Sequence, residues 1–492
     1  MQAVLLGIDL GSSSVKVIAI DPDGCLLAGA SRPYRNYSPA NGYVEQDPAE
    51  WWEQAAAAVR ECIAAVSGQA AGFSVEAIGL TGQMHTFVCL DRDGAVVRPA
   101  ITWMDGRGGR LAQTVARRAD SDALMAVIRN PVVSGMTLVS LLWMKQNEPQ
   151  LLERTSVMLH AKDWARYRLT GTLGSDHTDA SATLLFDQQQ RGWSAEICAA
   201  FELPYHVLPP LSRSWEPVGR LTRHAATDLG LPAGIPVAAG AADQQAAAVG
   251  NRVIEPLDMQ LMMGTGAQVF SACGHLPAHY SVGMNTFCHV RDWALQGSVQ
   301  NAGLALGWVS RTLGLSWDEL FACSTALAVG SPVFVPYLTG ERSPEVVHQP
   351  SGAWIGISSS STRLNLAAAA IEGVAFSIAQ SVKQVREQSA ADRSTLIRCS
   401  GGGTRSDPFM QLIADLVELP LARMNSVDAS SHGAALLGGV AAGVYAGLEQ
   451  AVEQAGLLVS AQVDPDAQIA ERLAERLERV GRIRAQVLAI QP

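Results

Sequence analysis

The chain has 492 residues, 48% hydrophobic and 17% charged, with 45 glycines, 23 prolines and a formal net charge of −10. That composition can fill roughly two to three packed domains and is too poor in charge for a disordered polymer. The acidic balance excludes the basic footprint of a general nucleic-acid binder. Lysine occurs only as Lys16, Lys145, Lys162 and Lys383, none after a glycine, so a GxxxxGK[ST] phosphate loop is excluded as well.

Residues 3–10 and 15–20 are apolar runs joined by Gly11-Ser12-Ser13-Ser14, and Pro22-Asp23-Gly24 turns the chain into a third run at 25–28. This predicts an antiparallel meander whose first turn is small and polar. Asp9 interrupts the first run and no basic segment precedes it, so no secretory signal is expected. Asp47-Pro48 opens an Ala-rich helix over 50–66. Residues 77–80 and 87–90 read as strands, and 151–169 as one helix. Residues 235–240 form a short strand that runs into Asp243 and an Ala-rich helix ending at Gly250. The Pro256-containing stretch 251–257 is the expected domain boundary, giving domains 1–250 and 251–492.

Beyond it the opening device recurs: strand 259–263, turn Gly264-Thr265-Gly266, strand 268–273. A third version is strand 396–399, then Gly401-Gly402-Gly403, then a helix with Asp407 as cap, Pro408 in its first turn, and Met410, Ile413 and Val417 inward. The chain is therefore expected to be α/β, in two halves with similar hairpins. Residues 433–448 are the most membrane-like stretch, but too short and Gly-rich to span a bilayer, so no membrane partner is expected. Residues 468–488 predict an amphipathic surface helix, apolar at Ile469, Leu473, Leu477 and Val480, with Glu and Arg on its other face. Eight cysteines without a CxxC pair suit a reducing cytoplasm.

Small turns between strands let backbone N–H groups and hydroxyls converge on phosphate oxygens. A carboxylate beside such phosphates is useful when a cation intervenes, which makes Asp9 a candidate Mg²⁺ residue. One Gly-Ser turn alone is a common hairpin turn; three such devices together favour a nucleotide. Asp243, between strand and helix, lies near the positive helix end, which favours its ionised form. It could take a proton from a hydroxyl attacking a phosphoryl group. The same position suits a helix N-cap, and the two roles are compatible. His85, His160 and His177 are isolated, so no metal-ligand spacing is read. A dinucleotide GxGxxG is missing, since Gly264-Thr265-Gly266 is followed by Val269 at the third glycine.

The motif order resembles that of the FGGY carbohydrate kinases across nearly the whole chain. Ile8 to Lys16 resembles the family's first phosphate hairpin, and Glu45-Gln46-Asp47-Pro48 with Trp51-Trp52 its EQDP-WW segment. Gly82-Gln83-Met84-His85 and Trp103-Met104-Asp105-Gly106-Arg107 resemble segments of the family's xylulokinases. Gly264-Thr265-Gly266 resembles the second phosphate hairpin, Gly340-Glu341-Arg342-Ser343-Pro344 the GERTP motif, and Gly401 to Ser406 the adenosine loop.

The resemblance implies two actin-like (ribonuclease H-like) ATPase domains of the sugar kinase, hexokinase and actin superfamily, with a cleft between them. It implies ATP and Mg²⁺, with Asp9 placing the ion and Asp243 as the base. It also implies a sugar held by Met84, His85 and Gln244, and phosphates surrounded by Ser12, Ser13, Lys16, Gly264 and Thr265. Gly402, Gly403 and Ser406 would face the adenosine. The implied substrate is D-xylulose, with a homodimer as the prior for such enzymes. Departures fall at Ala241, Ala242 and Gln244, where xylulokinases carry Gly-Gly-Asp-Asn around the base, and at Ser140, where the family has lysine. Another ketose, a polyol or a sugar acid stays open. So does a non-kinase actin-like ATPase, which would have no use for Met84-His85 together with Asp243.

Overall fold

Gln2–Leu10, Ser14–Ile20 and Leu26–Pro33 form the expected meander, pairing antiparallel in turn. In this computed structural model residues 2–68, 72–121, 123–324, 327–347, 349–389, 395–425 and 428–489 are described. Packing divides them into two units. The first contains 2–254, 286–293 and 428–457; the second contains 255–285, 294–425 and 458–489. The second half is thus not contiguous: its segment 428–457 belongs to the first unit.

In the first unit the sheet runs in the order Pro217–Arg220, Pro236–Ala238, Phe73–Gly82, Gln2–Leu10, Ser14–Ile20, Leu26–Pro33. The two-residue strand Ala241–Ala242 pairs parallel with the end of Phe73–Gly82, Ala241 opposite Thr81 and Ala242 opposite Gly82. Asp9 faces Lys16 on one side and Thr81 on the other. Asp9 and Asp243 therefore stand at the carboxyl ends of parallel strands, where open α/β sheets place their ligand chemistry. Gln2–Leu10 is almost wholly buried, which explains its continuous apolar run.

Helix Ala429–Ala441 explains the Gly-rich apolar stretch. It lies against this sheet and the Asp243–Gly250 helix, close enough that a Cβ on Gly79 would stand 1.7 Å from the Ala434 carbonyl oxygen. A Cβ on Gly433 would stand 1.8 Å from the carbonyl oxygen of Ala246. Gly433→Ala is therefore expected to cost about 1–3 kcal/mol through forced separation of two backbones, measured by urea unfolding. An unchanged midpoint would show that the helix can shift freely.

Helix Pro48–Ser67 begins as expected, the Asp47 carboxylate accepting from Ala49 N–H at 2.9 Å. The single helix expected over 151–169 is instead Pro149–Arg154, strand Val157–His160 and helix Ala161–Thr170. The apolar Val157-Met158-Leu159 gains more by pairing with Phe87–Leu90 in a small four-stranded sheet, where these three and His160 are all buried.

The second unit repeats the first unit's opening. Met259–Met263 pairs antiparallel with Ala267–Cys273 and parallel with Ile397–Ser400, followed by parallel Leu421–Met424 and antiparallel Val459–Val463. Among the described helices Arg363–Ser389 alone is long and apolar enough to cross a membrane, but 83% of its most apolar window is buried inside the protein. The C-terminal helix Ala467–Ala489 departs from the expected polar outer face: Arg476 and Arg484 are buried with Leu473 and Val480. The Arg476 guanidinium donates to Glu372 at 2.6 Å and to the carbonyls of Ser331 and Pro332 at 2.7 and 2.6 Å. The helix is anchored by charge as well as by its apolar stripe. All eight cysteines are free.

Candidate active site

The first phosphate-type turn, Gly11 to Ser13, is braced from beneath. Gln46 Nε2 donates to the Ser12 carbonyl at 2.8 Å, and Gln46 Oε1 accepts from Gln83 Nε2 at 2.7 Å and from Trp51 Nε1 at 3.1 Å. Trp103 Nε1 donates to Ser12 Oγ at 2.8 Å. The EQDP, GQMH and W-x-DGR segments thus meet at one turn. The latter's Asp105 and Arg107 form a buried ion cluster with Glu45 rather than a ligand site. Ser13 is exposed and its carbonyl accepts from Tyr34 N–H at 3.1 Å.

Asp9 is buried beside two residues that the sequence did not single out, Asp428 and Ser430. The Ser430 hydroxyl lies 2.7 Å from Asp9 Oδ2 and 2.9 Å from Asp428 Oδ1, and Lys16 Nζ lies 2.9 Å from Asp428 Oδ2. Burial and the Asp428 charge raise the Asp9 pKa to about 6. The other oxygen, Asp9 Oδ1, is buried without a hydrogen-bond partner among the described residues. Asp428 caps helix Ala429–Ala441, and an Asp before an Ala-rich run is the cap signal that could have revealed it.

Asp243 is not the cap of its helix. Ala242 holds that position, and Asp243 is the first helical residue, where it accepts hydrogen bonds from the Gln244 backbone and side chain. The expectation that the helix end keeps it ionised fails. Burial, then the charges of Asp9 and Asp179, push its pKa up to about 7, because desolvation and like charges outweigh a helix N-terminus. Met84 packs with Ala182, Ala242 and Phe287, against the residue preceding Asp243. His85 adopts φ 63°, a left-handed conformation that holds the loop between two strands in one sharp bend.

Behind Asp243 lies a charge cluster that sequence reasoning missed. Lys162 Nζ is within 2.6, 2.9 and 3.1 Å of carboxylate oxygens of Asp163, Asp176 and Asp179, all fully buried. Thr178 Oγ1 donates to Asp176 Oδ2 at 2.6 Å and accepts from Ala242 N–H at 2.8 Å, fixing the backbone just before Asp243. His160, judged isolated in sequence, comes together with Asp163 and Asp179 as a set of potential ligand atoms within 4.8 Å. The Lys162 ammonium already sits on both carboxylates, at 2.6 and 3.1 Å.

In the second unit a cavity of about 850 Å³ collects Gly264, Thr265, Gly402, Gly403 and Ser406. Its walls include Trp317, Phe321, Ile378 and Phe409, apolar enough to cover a flat ring system. Gly401, at φ 92°, has no room for a side chain, since a Cβ would meet the Met263 carbonyl oxygen at 2.5 Å, whereas Gly402 opens onto free space. The expected cap Asp407 is instead the first residue of helix Asp407–Val417, paired with Arg423; Ser406 caps it, accepting from Phe409 N–H at 3.3 Å. Glu341 of the GERSP motif braces this unit, accepting from the backbone N–H groups of Gln300, Asn301 and Arg342.

The family model described as "FGGY family of carbohydrate kinases, N-terminal domain" matches residues 4–250, and the corresponding C-terminal domain matches 259–442. A xylulose kinase of Staphylococcus epidermidis is 33% identical over 443 residues, 89% of this chain and 88% of the relative. A glycerol kinase of Citrifermentans bemidjiense is 31% identical over 459 residues, covering 89% of this chain and 90% of its own. Among solved structures, a "xyloylose kinase" from Brucella ovis superposes with a TM-score of 0.92 at 30% identity over 99% of this chain and 100% of that one. A gluconate kinase from Lactobacillus acidophilus shares the fold at TM-score 0.91 and 20% identity, covering 100% and 99%. Both halves matching in order, at this identity and over this length, the chain belongs to the FGGY family of carbohydrate kinases and is an ATP-dependent sugar kinase.

Proposed function

We propose that the enzyme phosphorylates the terminal hydroxyl of D-xylulose, giving D-xylulose 5-phosphate and ADP in the cytoplasm. The observation that carries the chemistry is Asp243: a carboxyl at a strand end, directly after the Ala242 that packs on Met84, with its pKa pushed up to about 7. A base tuned near neutrality can take the hydroxyl proton at a carboxylate oxygen while the sugar oxygen bonds to the γ-phosphorus and the bond to the ADP oxygen breaks. Met84, His85 and Gln244 read the sugar, and Ser12, Ser13 and Lys16 donate to phosphate oxygens. Gly264, Thr265, Gly402, Gly403 and Ser406 hold the nucleotide.

The residues fit Mg²⁺. Asp9 Oδ1 is a buried carboxylate oxygen without a partner among the described residues, and a hard oxygen donor suits that ion. Bound there, Mg²⁺ would neutralise phosphate charge.

The ketopentose assignment draws on the relatives named xylulose kinase and on where the departures lie. Ala241 and Ala242 are wholly buried in the sheet, and Ser140 is buried in helix Thr137–Asn147, so none offers surface to a substrate. Gln244 is the departure left to alter hydroxyl recognition. The test is ADP release from Mg²⁺-ATP over a panel of ketoses, polyols and sugar acids. Stimulation highest in kcat/KM with D-xylulose is expected; preference for another acceptor would overturn the substrate, and no stimulation by any would overturn the mechanism.

The adenosine assignment has its own test. Gly402→Leu has space to fold and fills the cavity, so KM for ATP is expected to rise at least about tenfold with kcat at saturation nearly kept. An unchanged KM would move the nucleotide elsewhere.

A further inference from the structure

A second cavity, polar and of about 600 Å³, opens in the first unit with neither Asp9 nor Asp243 in its lining, and three arginines line it: Arg191, Arg213 and Arg291. Arg191 stacks on the Trp293 ring, 5.1 Å from its centroid, and Arg213 on Trp215 at 5.9 Å. Each indole holds its guanidinium by the flat face without neutralising it, which leaves N–H edges for a ligand. The Trp293 ring is itself pinned, donating Nε1–H to the Gln188 carbonyl at 3.0 Å, and Arg191 donates to the Arg291 carbonyl at 2.9 Å. Among the described residues no carboxylate forms an ion pair with the Arg191 or Arg213 guanidinium; the Glu216 carboxylate accepts the Arg213 backbone N–H at 3.0 Å instead. The acids of the cavity are Glu449, tied to Arg291 at 3.1 Å, and Asp292. His177 donates Nδ1–H to the Ser212 carbonyl at 2.8 Å, which leaves its Nε2 for another partner.

We propose that this cavity binds a phosphate group, carried by a small phosphorylated molecule or as free phosphate. Two stacked guanidiniums, held in place before any ligand arrives, offer paired donors to a tetrahedral oxyanion with several acceptor oxygens, the geometry that arginine matches and lysine does not. A carboxylate has two oxygens and would leave most of these donors unmet.

The test is equilibrium dialysis with radiolabelled inorganic phosphate, comparing the full chain with its Arg191→Gln/Arg213→Gln variant. The parent is expected to take up one saturable phosphate that the variant lacks or binds at least tenfold more weakly, with Arg191→Lys/Arg213→Lys falling between. Circular dichroism melting of each variant checks that its fold is kept. Displacement of the label by a pentose phosphate would identify a phosphorylated metabolite as the ligand, and retention against it would identify free phosphate; either result supports the site. Equal uptake by parent and both variants would overturn it, as would uptake by the parent that chloride abolishes as readily as a sugar phosphate does.

Discussion

Asp243→Asn is expected to lower kcat for sugar phosphorylation by about 10²–10⁴-fold with KM for ATP nearly unchanged, the loss typical of removing a positioned general base. Asparagine keeps the shape and the acceptor that Gln244 addresses but cannot take the hydroxyl proton. The same residue sets a pH dependence. With a pKa of about 7, the base is ionised above neutrality, so kcat/KM of the parent should rise about tenfold per pH unit up to that point and then level. The sign for stability is the reverse. A carboxyl whose folded pKa is raised binds its proton more tightly folded than unfolded, so the free protein loses stability as pH climbs from the ordinary carboxylate range to about 7. Asp9, raised to about 6 by burial and Asp428, acts in the same direction. Asp243→Asn should therefore melt higher than the parent at pH 8 without nucleotide, the gap closing toward pH 4. A variant that is inactive and also less stable at pH 8 would mark Asp243 as structural; a fully active variant would remove it from the mechanism.

Much of this site was legible because its signals are local. Gly11 to Ser14 and Gly264 to Gly266 announce tight turns between apolar runs, and both hairpins form with the expected strands. Asp243 stands out at a strand-to-helix passage for the same reason. What sequence could not yield depends on long-range packing. Lys162 lies in a stretch whose charges resemble a solvated helix face, yet helix Ala161–Thr170 turns Lys162, Asp163 and Arg166 inward. Asp428 and Ser430 lie more than 400 residues from Asp9 and are brought to it only because helix Ala429–Ala441 packs on the first sheet. The direction of the Asp243 pKa is missed on the same account: a helix end can be read from the chain, but burial and the nearness of Asp9 and Asp179 cannot. Arg476 repeats the lesson, a residue that looks like surface charge and is instead buried on Glu372.

Lys162→Met should be the most destabilising single change in the first unit. The ammonium is buried and faces three buried carboxylates. Arg166, 3.4 Å from Asp163, is the other cation of the group, and one of its N–H groups is committed to the Ala239 carbonyl at 2.9 Å. Lys162 and Arg166 hold Asp163 far below the usual carboxylate range, while burial still lifts Asp179 to about 6 with the ammonium in place. Methionine fills the volume but strands the acids, and breaking a buried pair from one side costs about 3–5 kcal/mol. Protonation can relieve part of that cost. Without the ammonium, the folded-state pKa of Asp179 rises further, so the variant binds extra protons when folded, and its deficit should be smaller at pH 5 than at pH 8. Urea unfolding at both pH values measures this. The defect should also reach the chemistry, because Asp176 holds Thr178, and Thr178 holds Ala242 N–H next to the base. The folded fraction should show a lower kcat with an unchanged KM for ATP, since the nucleotide cavity is built from residues of the other unit. A loss below about 1 kcal/mol, equal at pH 5 and 8, would mean that solvent reaches these carboxylates and that Lys162 does not hold Asp243 in place.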